Sequence, residues 1–380
     1  MSIKSKLPNV EESIFSVMTK LAINHGALNI SQGYPDYDTD DRLKDLVYKS
    51  MKSGHNQYAP MAGIFSLRKA ISDKINFLYN KNINPESEVT ITVGATQGIY
   101  NAISAMVGIG DEVIVVEPAY DSYVPTIQLN GGIPVSYELN PVDYSYDWDR
   151  FRALITDKTR LIIINSPHNP SGKVLCETDM IELKKIAYAF DGYFVFDEVY
   201  EHLIYDDKEH LSALKYQELY TKSFVIYSFG KAYHNTGWKM GYCIAPPDLT
   251  MELRKVHQFN VFSVNNPTQH ALAEYMKDKN TYLSLNSFYQ EKRDFFNEIL
   301  KDTRFEPIKC EGTYFQLVSY SDISDEDDMT FAKRLIDEYG VASIPVSPFY
   351  INRTDNKVIR FCFAKTKDLM SRAGERLMKV

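Results

Sequence analysis

The feature that most constrains this chain is Thr159-Arg160-Leu161-Ile162-Ile163-Ile164, a run that ends in consecutive branched apolar residues with no polar position left to face water. A half-wet antiparallel strand alternates apolar and polar residues. An unbroken run instead fits a strand covered on both faces, as in a parallel sheet flanked by helices. Similar runs lie at Glu88–Val93, Glu112–Glu117, Ile133–Leu139, Tyr193–Phe196 and Phe224–Tyr227. Helices are expected between them at Gly94–Val107, Trp148–Ile155 and Thr178–Phe190, and a further one at Asp41–Lys52 precedes the first run. This alternation predicts an α/β fold with a mostly parallel sheet. Ligands of such sheets bind beyond the carboxyl ends of the strands, so the residues that follow each run carry the functional information.

Phe224–Tyr227 leads into Ser228-Phe229-Gly230-Lys231, with Lys239 and Gly237 shortly after. A lysine in a loop is ordinarily a solvated charge. Here two glycines allow close backbone turns, a hydroxyl precedes the lysine, and a second cation follows it. An amine kept neutral by desolvation or by neighbouring positive charge attacks an aldehyde, and a hydroxyl with a second cation suits a phosphate. Gly94-Ala95-Thr96-Gln97-Gly98 opens a helix directly after a strand and reads either as a simple turn or as an anion site built from free N–H groups. The chain lacks GxGxxG, which disfavours a nicotinamide dinucleotide. Tyr120 and Tyr123 read as ordinary strand-end packing. Asn169 sits in a loop stiffened by Pro167, Pro170 and Gly172. Asp197 ends a buried strand and needs a partner, either a structural cation or a protonated ring nitrogen.

Past Met251 the pattern changes to a helix over Tyr282–Leu300 and strands over Phe305–Val318 and Val358–Ala364, an α+β tail that predicts a second, smaller domain. The expected division is residues 1–40 as an N-terminal arm and part of the small domain, 41–275 as a large domain and 276–380 as the small one. Arg360 interrupts an apolar strand and requires an anion. The acidic run Asp322–Asp328 reads as a solvated loop before a helix. A formal net charge of −8 without a basic stripe argues against a nucleic-acid partner. Four cysteines without CxxC spacing read as reduced thiols and imply no metal. No run approaches a membrane span or a signal-peptide core, so a cytoplasmic protein without a membrane partner is expected.

From Phe15 to the C-terminus these motifs, in this order, resemble the fold-type I pyridoxal-phosphate aminotransferases, in the branch holding the kynurenine/glutamine and methionine aminotransferases. The resemblance implies a mostly parallel seven-stranded sheet in a large domain, a smaller α+β domain, and a homodimer whose active sites are shared across the interface. It implies that Lys231 anchors pyridoxal 5'-phosphate and later carries a proton. Ala95, Thr96, Ser228 and Lys239 would hold the phosphate together with Tyr58 from the neighbouring subunit. Lys239 stands where more distant aminotransferases have arginine, so a point charge replaces a bidentate fork. Tyr120 would stack on the ring, Asp197 would keep its nitrogen protonated, and Asn169 and Tyr200 would bond its phenolic oxygen. Arg360, with Asn169 and Gly33 nearby, would take the substrate carboxylate. Phe15, Tyr34 and Phe262 of the partner subunit would surround the side chain. Glu198 and Glu201 are expected to be solvated or structural, and the Asn169–Pro170 bond to be cis. The implied reaction moves the amino group of methionine or an aromatic or apolar amino acid to a 2-oxo acid by a ping-pong mechanism. The same residues would serve a cysteine-conjugate β-lyase, and a non-catalytic cofactor-binding regulator is the alternative from another class.

Overall fold

The computed structural model describes residues 4–380. In chain order its strands begin with β1 (Leu28–Asn29), β2 (Val89–Val93), β3 (Glu112–Glu117), β4 (Ile133–Glu138), β5 (Thr159–Asn165), β6 (Tyr193–Asp197), β7 (Ser223–Ser228) and β8 (Met240–Ile244). β9 (Glu306–Pro307), β10 (Phe315–Ser319), β11 (Val341–Ala342), β12 (Ile344–Pro345) and β13 (Val358–Cys362) follow. Seven strands form one sheet in the order β2-β8-β7-β6-β5-β3-β4. Only β8 runs against the others, antiparallel to both β2 and β7. A four-stranded antiparallel sheet, β12-β13-β10-β9, and the parallel pair β1-β11 complete the architecture.

The unbroken apolar runs do serve two faces. Leu161, Ile163, Val113, Val115, Val195 and Phe224 pack on one side with Ile99, Ala102, Ile103 and Met106 of the helix Gly94–Met106. Those helix residues recur at the spacing of one helical face. Ile162, Ile164, Ile114, Val116, Phe194 and Phe196 point to the opposite side, into the larger core shared with the second sheet. Each side chain buried in this way contributes roughly 1.5–3 kcal/mol, so the sheet is the rigid frame of the molecule.

Several expected elements differ in detail. The apolar patch near Ile14 extends into a helix, Ile14–Asn24, which buries Ile14, Met18 and Ala22 at i, i+4, i+8. The helix expected over Tyr282–Leu300 is two, broken at Ser284. The strand expected over Phe305–Val318 is only β9 and β10, because the chain turns between them with Thr313 at φ +68°. That turn brings Tyr314 inward. The acidic run is not wholly solvated. Asp327 caps the helix Asp328–Tyr339 through Thr330 N, while Asp328 is buried and accepts from Ser347 N and Oγ at 2.6 and 2.7 Å. Glu198 and Glu201 are buried structural groups. Glu198 accepts from Ala213 N and Tyr227 Oη and contacts His210, while Glu201 pairs with Lys74.

Candidate active site

A cavity of about 440 Å³ opens where β2, β3, β5, β6 and β7 end. The parallel strands deliver their following residues to one edge, which places Thr96, Tyr120, Asn169, Asp197 and Lys231 around a common space. Lys239 joins them because β8 is antiparallel, so the residue before its first position lies at that same edge, beside Val93 and Ser228. Arg360 enters from the second sheet, on β13, where it pairs with Leu317 and Ile344.

Lys231 lies on a short helical turn, Phe229–Ala232, rather than in a loop. Its Nζ donates to Tyr314 Oη at 2.8 Å and to the Gly33 carbonyl at 3.3 Å. Burial pulls its pKa from 10.5 down to about 8, and the positive charges of Arg360 and Lys239 act in the same direction. The amine is therefore far closer to its neutral, nucleophilic form than a surface lysine.

Asp197 is buried and accepts from Tyr123 Oη at 2.5 Å and from Val199 N at 3.3 Å. Burial raises its pKa to about 6, against the pull of those hydrogen bonds. Among the described residues no cation pairs with it within ion-pair distance, so the structural ion pair is not formed. Asn165 Nδ2 donates to the Asp197 carbonyl at 2.7 Å, and Asn165 Oδ1 accepts from Asn169 N at 2.7 Å. One amide thus fixes two neighbouring strand ends. The Asn169–Pro170 peptide bond is cis, as are Glu117–Pro118 and Ser166–Pro167.

Arg360 is 1% exposed. Its Nη1 donates to Asn169 Oδ1 at 3.0 Å and its Nη2 to the Ser31 carbonyl at 3.4 Å, while its Nε has no partner. The guanidinium stacks on Phe315 at 3.8 Å, with Phe15 and Phe349 farther off. Among the described residues no carboxylate forms an ion pair with it, and burial pulls its pKa down to about 10. A buried cation lined with aromatic faces and an unused donor is a site short of one anion.

On the opposite wall Gly94 adopts φ +68°, and a Cβ there would meet Lys239 Cε at 3.3 Å. The bare backbone turn, the first N–H groups of the helix Gly94–Met106, the Lys239 ammonium and the Ser228 hydroxyl converge on one corner. Thr96 Oγ1 lies 3.3 Å from Tyr120 Oη, and Tyr200 also lines the cavity, its ring edge-on to Tyr314 with centroids 5.2 Å apart.

Phe15, Gly33 and Tyr34 line the outer side of the cavity. A Cβ at Gly33 would come within 2.8 Å of the Phe315 ring, so this close packing of the N-terminal segment requires glycine. Tyr58 and Phe262 do not reach the cavity of their own chain. They pack edge to face at 5.7 Å on the surface, and Tyr58 is 83% exposed. Sequence reasoning missed Tyr314 and Phe315, which its long strand concealed. It also read Tyr123 only as strand-end packing, and passed over Asn165, whose position at the end of β5 was a usable signal.

The aminotransferase class I and II family model matches residues 26–377. The chain is 44% identical to methionine aminotransferase of Escherichia coli over 99% of its own length and 98% of that protein. It is 32% identical to kynurenine–oxoglutarate transaminase of Dictyostelium discoideum, covering 97% and 94% of the two chains. A solved Escherichia coli structure with a methionine aminotransferase function superposes with TM-score 0.98 over the whole of both chains, at 44% identity. A mutant aspartate aminotransferase from Thermus thermophilus superposes with TM-score 0.91 at 28% identity, covering 100% and 99%. Enzymes of this family depend on pyridoxal 5'-phosphate. The cavity fits that group, with a half-buried amine, a buried carboxylate lacking a cation, and a glycine turn beside a lysine and a helix N-terminus. Sequence match, fold and cavity agree along the full chain, which belongs to the class I and II aminotransferases.

Proposed function

We propose that this chain transfers the amino group of methionine, or of an aromatic or other apolar amino acid, to a 2-oxo acid. Pyridoxal phosphate, when bound, supplies an aldehyde that bonds to amines and a ring that accepts the electrons of a breaking C–H bond. Lys231 would bond to that aldehyde. Ser228, Lys239, Tyr58 of the partner subunit and the backbone of Ala95 and Thr96 would hold the phosphate. Tyr120 would cover one ring face, Asn169 and Tyr200 would bond the phenolic oxygen, and Asp197 would keep the ring nitrogen protonated. Arg360 binds the substrate carboxylate and presents Cα to Lys231. With its pKa lowered to about 8 the lysine amine is neutral over a range that a surface lysine reaches only above about pH 10, and it serves as the base for the Cα proton. Sharing of Tyr58 and Phe262 between subunits makes the working unit a homodimer.

The observation that carries this reading is Arg360, a buried guanidinium with no anion and a free Nε, inside the cavity that also holds Lys231. The preference for apolar donors rests on the outer wall. Phe15 and Tyr34 offer aromatic surface, and among the described residues no second arginine lines the cavity. An acidic side chain would lose hydration there without gaining an ion pair. In a donor screen with one 2-oxo acid, methionine should exceed aspartate by at least about tenfold in kcat/KM, which needs only about 1.4 kcal/mol. Equal turnover of the two donors would reject this pocket.

A further inference from the structure

Tyr314 belongs to no expected motif, yet it is the closest polar neighbour of Lys231. It is fully buried at the turn before β10. Its hydroxyl has one proton to give, and that proton goes to the Gly33 carbonyl at 2.5 Å. Toward Lys231 the phenol oxygen is therefore an acceptor, and Lys231 Nζ donates to it at 2.8 Å. The same Nζ also faces the Gly33 carbonyl at 3.3 Å. The two oxygens lie 2.5 Å from each other, in nearly one direction from Nζ, so they hold the nitrogen from one side and leave its other side to the cavity that Lys231 lines.

Resting on the function proposed above, we infer that Tyr314 is a positioning residue for Lys231. Its hydroxyl holds the free amine at one place in the cavity wall, from which it takes the substrate Cα proton, and it ties that place to the N-terminal segment through Gly33. The ring is fixed independently of the hydroxyl. Tyr314 packs edge-on against Tyr200 and Phe315, with centroids 5.2 and 4.9 Å apart. Gly33 is in turn pressed on the Phe315 ring that stacks on Arg360. The segment that meets the substrate carboxylate site and the amine that takes the proton thus share one hydrogen-bonded link.

Tyr314→Phe removes the hydroxyl and keeps these ring contacts. Two readouts are expected to move in opposite senses. The full chain stripped of cofactor is mixed with pyridoxal phosphate, and the visible absorbance is followed against pH. In the parent protein capture should rise with pH to a plateau, with a midpoint near 8 as the amine becomes neutral. In Tyr314→Phe the midpoint should fall by about half a unit or more, because an acceptor that favours the ammonium is gone. More of the amine is then neutral at pH 7, yet single turnover of methionine should slow by at least about tenfold, because the nitrogen is no longer held in place. An unchanged midpoint with a single-turnover rate within about threefold of the parent would overturn the role. If the parent itself failed to capture pyridoxal phosphate at Lys231, the functional reading would fail instead, so the two failures are distinguishable.

Discussion

The two walls of the cavity are built in different ways. On the inner wall Asp197 is the last residue of β6, Asn169 and Lys231 follow closely on the ends of β5 and β7, and paired strands fix all three. On the outer wall Phe15 and Tyr34 come from the N-terminal segment. Gln32 Nε2 donates to the Phe15 carbonyl at 2.8 Å, and Tyr34 is 45% exposed. The inner wall inherits its geometry from strands that are hydrogen-bonded on both edges and packed on both faces. The outer wall depends on side-chain packing that tolerates substitution. Under the proposed function, reaction chemistry belongs with the first and donor choice with the second. The structural neighbours fit this division, since a protein named for aspartate keeps the same fold at 28% identity.

The division breaks most plainly if an inner-wall change alters donor choice or leaves the chemistry intact. Lys231→Ala should abolish borohydride trapping of pyridoxal phosphate and reduce turnover of every donor by at least about ten-thousandfold. That is the upper end of what a positioned acid–base group contributes, before the covalent anchor is counted. Retained trapping would mean that another lysine is the anchor. Asp197→Asn should be smaller, roughly 100- to 1000-fold in single turnover, or about 3–4 kcal/mol. The amide keeps the size and a partner for Tyr123 Oη but lacks the charge for a ring nitrogen, so cofactor affinity should change much less than rate. An unchanged single-turnover rate would remove Asp197 from the chemistry.

What the sequence disclosed follows the same line. Strand ends are legible because unbroken apolar runs mark the strands, and the residue after each run must lie at the sheet's edge. Asp197, Asn169 and Lys231 were placed at that edge in this way, and the roles expected of them came from the resemblance to the aminotransferases. Lys239 also lay in the motif, but its place beside Gly94 depends on β8 running antiparallel, which no local pattern announces. Tyr314 was hidden because Phe305–Val318 has the composition of one strand. The turn at Thr313 uses a left-handed backbone conformation without the glycine that normally signals it. Arg360 was legible as a charge out of place. Its stacking on Phe315 was not, since it depends on the register of β13 against β10.

The smallest effect tests the outer wall and is the sharpest test of the comparison. Phe15 both lines the cavity and lies with its ring 5.2 Å from the Arg360 guanidinium. Phe15→Ala therefore removes two things, aromatic surface for the donor side chain and a weak cation–π contact to the carboxylate site. The second loss falls on every donor, because every amino acid presents an α-carboxylate. The first falls only on donors long enough to reach the ring. Sulfur–aromatic contacts are worth roughly 0.3–1.5 kcal/mol, so kcat/KM for methionine should fall about twofold to twelvefold from that contact alone. Alanine has no atom beyond Cβ and isolates the carboxylate effect; with Phe315 still stacked at 3.8 Å, loss of the 5.2 Å contact should lower its kcat/KM by about twofold to fivefold, or roughly 0.5–1 kcal/mol. The ratio of the two donors measures the wall itself. Equal losses for methionine and alanine would mean that Phe15 acts through Arg360, and donor choice would have to be sought in Tyr34 or in the partner subunit's Phe262.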